Sequence, residues 1–141
     1  MKQVFADTCF WVAILDTQDQ HHLAARRADE ELKKHGPVLY ITTEFVLGEV
    51  LNLFSRFGEG WRLKAAEAVN KILQNPNVRV FPQTRDLFVR SVSFYKSRLD
   101  KESSFIDCVS MQVMNENAIT EVLSSDHHFE QEGFTRLIHS M

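Results

Sequence analysis

The chain has 141 residues, of which 44% are hydrophobic and 25% are charged, a composition typical of folded globular proteins and unlike that of disordered, collagen-like or membrane proteins. A net charge of −3 argues against a broadly basic nucleic-acid-binding surface, but it is compatible with a nuclease that has an acidic metal pocket and a basic rim. No apolar run approaches the roughly 18 to 20 residues that span a bilayer, and the two cysteines lack C-x-x-C spacing, as in proteins of reducing compartments. We therefore expect one soluble, cytoplasmic domain over residues 1–141.

The first part of the chain predicts alternating strands and helices. In chain order these are a strand over 3–6, a helix over 10–15, a helix over 21–35, a strand over 38–42 and a helix capped by Thr43. Asp7 and Thr8 suit the start of a helix, and Gly36 with Pro37 ends the second helix. The third helix is predicted to bury one apolar face, formed by Val46, Val50, Leu53, Phe54 and Phe57.

The second part continues the alternation. It predicts a helix over 61–73, a strand over 78–81, a helix through 87–95, a helix over 105–116, a strand over 119–124 and an edge strand over 134–138. Gly58, Pro76 and Pro82 mark the boundaries. Such alternation implies parallel strands joined by right-handed crossovers. The predicted fold is therefore a three-layer α/β/α domain with a central, mainly parallel sheet.

Four acidic residues are candidates for a functional site. Ligands of open parallel sheets bind beyond the carboxyl ends of the strands, and Asp7, Asp107 and Asp126 fall there, after two strands and in the first turn of a helix. Glu49 lies further along the third helix, beside its buried face. Two carboxylates about 4 Å apart repel by roughly 4 kcal/mol at an effective dielectric constant of 20, so a cation must compensate.

Hard divalent cations such as Mg²⁺ and Mn²⁺ prefer oxygen ligands and keep several waters. A water bound to such an ion can attack phosphorus, and this chemistry predicts phosphodiester hydrolysis. Each acid also has a structural explanation. Asp7 and Asp126 can cap helices, Ser104-x-x-Asp107 resembles a capping box, and Glu49 can be an exposed helix residue.

Four sequence blocks resemble the PIN domain, a nuclease family. The blocks, which together span nearly the whole chain, are VFADTCFWVAILD, TTEFVLGEVLNL, SSFIDCVSMQVM and ITEVLSSDHHFEQEGF. They match the family's four acidic positions with Asp7, Glu49, Asp107 and Asp126. Thr8 and Ser104 match hydroxyl positions that accompany those acids, where they can orient a carboxylate or a water, although helix capping explains them equally well.

This resemblance implies a Mg²⁺- or Mn²⁺-dependent ribonuclease that acts on RNA and whose acids gather at one end of a parallel sheet. It also implies a homodimer, and we expect an apolar helix face to form its interface from the phenylalanines Phe54, Phe57, Phe88 and Phe94. The compact length resembles the toxin half of bacterial toxin–antitoxin pairs, in which an antitoxin masks the catalytic pocket.

Two nearby features are open to other interpretations. Glu44 lies five residues before Glu49, about 140° around the helix, so both cannot point into one small site, and Glu49 is the one that matches the motif. His127 and His128 can contact phosphate or metal, but adjacent histidines do not share the i, i+4 face of common zinc-binding helices.

Three other functions compete with the nuclease hypothesis. A haloacid-dehalogenase-type phosphatase also begins with Asp at the end of its first strand, but Cys9 stands where its second Asp is needed. A receiver-like signalling domain needs a different acidic cluster and a late lysine. A catalytically silent RNA- or protein-binding module of the same fold is the third alternative, and four intact acids favour the nuclease over it.

Overall fold

The structure is a computed structural model, and it describes residues 1–139. Positions 140 and 141 of the predicted domain lie outside the described residues. In chain order the elements are β1 (Lys2–Ala6), α1 (Thr8–Leu15), α2 (His22–Lys33), β2 (Val38–Thr43), α3 (Glu44–Phe54), α4 (Glu59–Gln74), β3 (Val78–Phe81), α5 (Arg85–Lys96), α6 (Phe105–Glu116), β4 (Glu121–Leu123), α7 (His128–Gln131) and β5 (Thr135–Arg136). Within residues 1–139, no helix is both long enough and apolar enough to cross a membrane.

The strands form a parallel sheet in the order β3-β2-β1-β4-β5. Every strand pair is parallel, and Phe5 in β1 lies beside Ile41 of β2 and Val122 of β4. The chain builds the sheet outward from β1 to β3, then returns to place β4 on the other side of β1. The strand order thus reverses between β1 and β4, a switch point where parallel sheets open a crevice at their carboxyl ends.

Alternating side chains of β1 contribute to separate cores on the two faces of the sheet. Val4 and Ala6 belong to an apolar cluster with residues of α1 and α2, whereas Phe5 belongs to a cluster with residues of α3, α5, α6 and α7. A strand covered on both faces has no solvent-facing side, which explains the continuous apolar run of β1. The predicted three-layer α/β/α architecture is confirmed.

Several element boundaries differ from the predictions. Strands β4 and β5 are shorter than expected, and the chain turns before β4 begins, where Ala118 takes a left-handed conformation with φ 54°. Helix α3 ends at Phe54, and Leu53 and Phe57 are 49% and 63% exposed, so their assignment to its buried face was wrong. Helix α7, with four residues, was not predicted because one turn is too short to show a helical period.

Candidate active site

The polar residues that follow β1 and β4 meet at the switch point of the sheet. Asp7 comes directly after β1 and Ser124 directly after β4, and the backbone amide of Asp7 bonds the carbonyl of Leu123 at 3.2 Å. Asp107 lies in the first turn of α6, and Glu49 lies in the middle of α3. The fold therefore brings elements that are distant in sequence to one edge of the sheet.

Asp7 is the most buried of the four candidate acids, with 6% of its surface exposed. It occupies the position before α1, but its side chain makes no capping hydrogen bond and instead accepts one from the Ser124 hydroxyl at 2.9 Å. Burial, together with the charges of Asp107 and Glu49, raises the pKa of Asp7 to about 7. The capping explanation is therefore wrong for the Asp7 side chain, which has the environment of a carboxylate in need of a cation.

Ser124 links the two acids that follow the central strands, and the sequence analysis missed it. Its buried hydroxyl donates to Asp7 Oδ2 and accepts the backbone N–H of Asp126 at 3.0 Å. The Cys9 thiol also lies 3.6 Å from Ser124 Oγ and can donate to it. The sequence did contain a signal for Ser124, because this hydroxyl residue directly follows a buried strand and stands two positions before an acid.

Thr8 connects Glu49 to the start of α1. The buried Thr8 hydroxyl donates to Glu49 Oε1 at 2.5 Å, so its side chain orients Glu49 instead of capping a helix. Glu44 is exposed and accepts the backbone N–H of Gln83 at 2.6 Å, which ties the start of α3 to the segment before α5. Thus Glu49, and not Glu44, contacts the residues around Asp7.

Asp107 does form the capping box suggested by the sequence. Ser104 Oγ accepts the backbone N–H of Asp107 at 3.1 Å, and Asp107 Oδ2 accepts the backbone N–H of Ser104 at 3.2 Å. Burial raises the pKa of Asp107, and the charge of Asp126 raises it further. The cap fixes the rotamer of Asp107 while its carboxylate stays electrostatically coupled to another acid, so the structural and functional interpretations are compatible.

Asp126 lies in the turn between β4 and α7. Its Oδ1 accepts the backbone N–H of His128 at 2.9 Å, and about a third of the side chain is exposed. The charges of Glu49 and Asp107 each raise the pKa of Asp7, and the charge of Asp126 raises the pKa of Asp107, so the four acids are electrostatically linked. Such an all-oxygen donor set fits a hard divalent cation, which would offset the repulsion among the carboxylates.

Comparisons with known proteins agree with this architecture. The family model described as PIN domain matches residues 4–134. The 23S rRNA-specific endonuclease VapC20 of Mycobacterium tuberculosis is 31% identical over 135 residues, which are 95% of this chain and 97% of that protein. The crystal structure of M. tuberculosis VapC20, described as a sarcin-ricin loop cleaving toxin, has a TM-score of 0.81 at 29% identity and covers 96% of this chain and 98% of its own. The structure of FitAcB from Neisseria gonorrhoeae has a TM-score of 0.62 at 14% identity, with 97% of both chains covered, and supports the fold alone.

Proposed function

This chain belongs to the PIN-domain family, and we propose that it is a divalent-metal-dependent endoribonuclease that acts as the toxin of a toxin–antitoxin pair. The observation that carries this proposal is the buried Asp7 carboxylate, electrostatically coupled to Asp107 and Glu49 at the switch point of the sheet. The likeness to VapC20 along nearly the whole chain supports RNA as the substrate, and structured ribosomal RNA is the first substrate to test. The chain would act as a single nuclease domain.

Asp7, Glu49, Asp107 and Asp126 are the proposed ligands of Mg²⁺ or Mn²⁺, directly or through coordinated waters. A bound divalent cation lowers the pKa of a coordinated water and offsets the charge that develops on the phosphate. Two hydroxyls and one backbone N–H fix the carboxylates in place. The Ser124 hydroxyl donates to Asp7, the Ser104 backbone N–H donates to Asp107 and the Thr8 hydroxyl donates to Glu49, so that these acids need little reorganisation when substrate arrives.

Two protein partners belong to the proposal. An antitoxin that covers the acidic site would inhibit RNA cleavage. A second copy of the chain would pack on the outer side of α5, where Phe88, Val92 and Tyr95 are each between 43% and 51% exposed. The expected interface needs correction, since Phe54 is 4% exposed and belongs to the core, and Phe94 lies beneath the Arg98 guanidinium at 4.6 Å.

We also propose the cytoplasm as the location, because Cys9 and Cys108 are free thiols, as is usual in a reducing compartment.

The test is cleavage of labelled RNA by purified protein with Mn²⁺, with Mg²⁺ and with EDTA. Cleavage should require the metal and should fall at least about a hundredfold in Asp7→Asn and Glu49→Gln, as expected when a group that acts in the transition state is lost. Glu44→Gln is the matched control, because Glu44 lies on the same helix but contacts Gln83, and it should retain activity. Cleavage that persists in EDTA or in Asp7→Asn would contradict the proposal, and RNA binding without cleavage would instead favour a silent module.

A further inference from the structure

The turn after β4 carries two histidines that the proposed nuclease chemistry does not use. Asp126, His127 and His128 each offer one ligand atom, and these three atoms all lie within 4.8 Å of one another. The two imidazole rings lie next to each other, with centroids 4.4 Å apart and planes tilted by 31°. One carboxylate and two imidazoles thus border the same small volume.

His128 has a buried ring nitrogen that its neighbours do not satisfy. Its Nδ1 lies 2.7 Å from Asp126 Oδ1, which is close enough for an ion pair. The alignment does not make a hydrogen bond, and among the described residues this Nδ1 has no other hydrogen-bond partner. Buried polar atoms in native proteins nearly always make hydrogen bonds, and this Nδ1, whose contact with Asp126 lacks hydrogen-bond geometry, is available to coordinate an ion. Asp126 itself is held in place because its backbone N–H donates to Ser124 Oγ and its Oδ1 accepts the backbone N–H of His128.

We propose that Asp126, His127 and His128 form a binding site for an imidazole-preferring divalent cation such as Zn²⁺. Imidazole nitrogen favours Zn²⁺ and related ions, whereas the all-oxygen set of Asp7, Glu49 and Asp107 favours Mg²⁺ or Mn²⁺. The two sites differ in donor chemistry and share one ligand, Asp126.

The observed spacing fits this ion after small rotations. Two ligands of a tetrahedral Zn²⁺ at about 2.1 Å are about 3.4 Å apart. The distances from Asp126 Oδ1 to Nδ1 of His128 and of His127 are 2.7 and 3.9 Å, one on each side of that value. The His127 side chain is 67% exposed and can rotate without displacing the core. Three protein ligands leave a fourth position open to water.

The shared ligand has a functional consequence, which rests on the proposed ribonuclease function. When Zn²⁺ occupies this site, Asp126 is no longer free to serve the Mg²⁺ or Mn²⁺ site. Zn²⁺ should therefore inhibit Mn²⁺-dependent RNA cleavage, and His127→Ala should make the enzyme less sensitive to Zn²⁺.

The binding test uses the untagged full chain and does not depend on activity. Zn²⁺ is titrated calorimetrically, and Co²⁺ serves as a spectroscopic probe because its visible absorption reports coordinated nitrogen. The wild type should bind one Zn²⁺ in this site, and His127→Ala and His128→Ala should each weaken binding by at least about tenfold, the lower end of what the loss of a supporting partner costs at metal sites. His35→Ala is the matched control, since His35 lies just after α2 and its side chain is 77% exposed, and this variant should bind like the wild type. Circular dichroism verifies folding, and His128→Gln replaces the alanine variant if that variant unfolds.

Three outcomes would overturn the site: no Zn²⁺ binding by the wild type, unchanged binding when both histidines are replaced, or binding that is lost in Cys9→Ser and kept in the histidine variants. Failure of the proposed function gives a different pattern. In that case RNA stays intact with Mn²⁺ while Zn²⁺ binding still depends on His127 and His128. Asp7→Asn should also keep Zn²⁺ binding, because Asp7 is not a ligand of this site.

Discussion

Replacing Asp7 by Asn should stabilise the metal-free protein at neutral and alkaline pH. In the folded protein burial raises the pKa of Asp7 from 3.8 to about 7. The folded protein therefore keeps a proton that the unfolded chain releases between about pH 4 and pH 7. Because the folded state binds more protons in this window, the free energy of unfolding falls as the pH rises through it, and the loss is complete above the folded pKa.

The size of the effect follows from the pKa difference. Above pH 7 the raised pKa of Asp7 lowers the free energy of unfolding by roughly 4 kcal/mol, because each unit of pKa difference between the folded and unfolded states is worth about 1.4 kcal/mol. For a domain of 141 residues, 1 kcal/mol changes Tm by about 3 °C, so the wild type should lose up to about 10 °C between pH 4 and pH 8. Asn is uncharged, has nearly the same shape and can still accept the Ser124 hydroxyl, so Asp7→Asn should lack this contribution to the pH dependence.

The assay is thermal unfolding with EDTA at several pH values between 4 and 8, for the wild type, Asp7→Asn and an exposed control, Asp100→Asn. The wild type and Asp7→Asn should have similar Tm values near pH 4, and their Tm values should diverge as the pH rises. The Asp100→Asn control should follow the wild type. Mn²⁺ at about 100 times its Kd should narrow the difference at pH 7.5, since it adds roughly 2.7 kcal/mol to the unfolding free energy of the protein that binds it, against the roughly 4 kcal/mol lost through the raised pKa. A difference in Tm between wild type and Asp7→Asn that does not change with pH would refute the reasoning about the buried carboxylate.

Two further predictions concern Ser124 and the α5 surface. Ser124→Ala removes the hydroxyl that donates to Asp7 and accepts the backbone N–H of Asp126. Mn²⁺-dependent cleavage should therefore fall about 10- to 100-fold. Unchanged cleavage and metal affinity would show that Ser124 does not position these acids. Val92→Glu places a charge on the exposed side of α5 and should convert a dimer into a monomer in light scattering, whereas Val89→Glu, a neighbouring exposed control, should have a smaller effect. If the wild type is monomeric at micromolar concentrations, the proposed α5 interface is wrong.

The sequence alone predicted the fold class from local patterns, and it predicted the four acidic positions from their placement and from the resemblance to the PIN domain. Apolar runs followed by helical periods indicated a parallel sheet, and the carboxyl ends of parallel strands lie at one edge. Asp7 and Asp126 could therefore be expected at the same edge before any contact was known. Helical geometry showed that Glu44 and Glu49 cannot both point into one small site, and the family resemblance selected Glu49. The boundaries of short elements such as α7 were not accessible, because a single turn carries no period.

Tertiary structure decided the relations between residues far apart in the chain. The hydrogen bond from Ser124 to Asp7 joins residues 117 positions apart, and it exists because β4 lies next to β1, a neighbour relation that no local pattern encodes. The same adjacency gives Asp7 its burial and hence its raised pKa, since desolvation depends on everything packed around a group. Residue types, their periods and the family resemblance thus predicted the candidate carboxylates, whereas strand order determined which of them are buried, which are coupled and which neighbouring groups orient them.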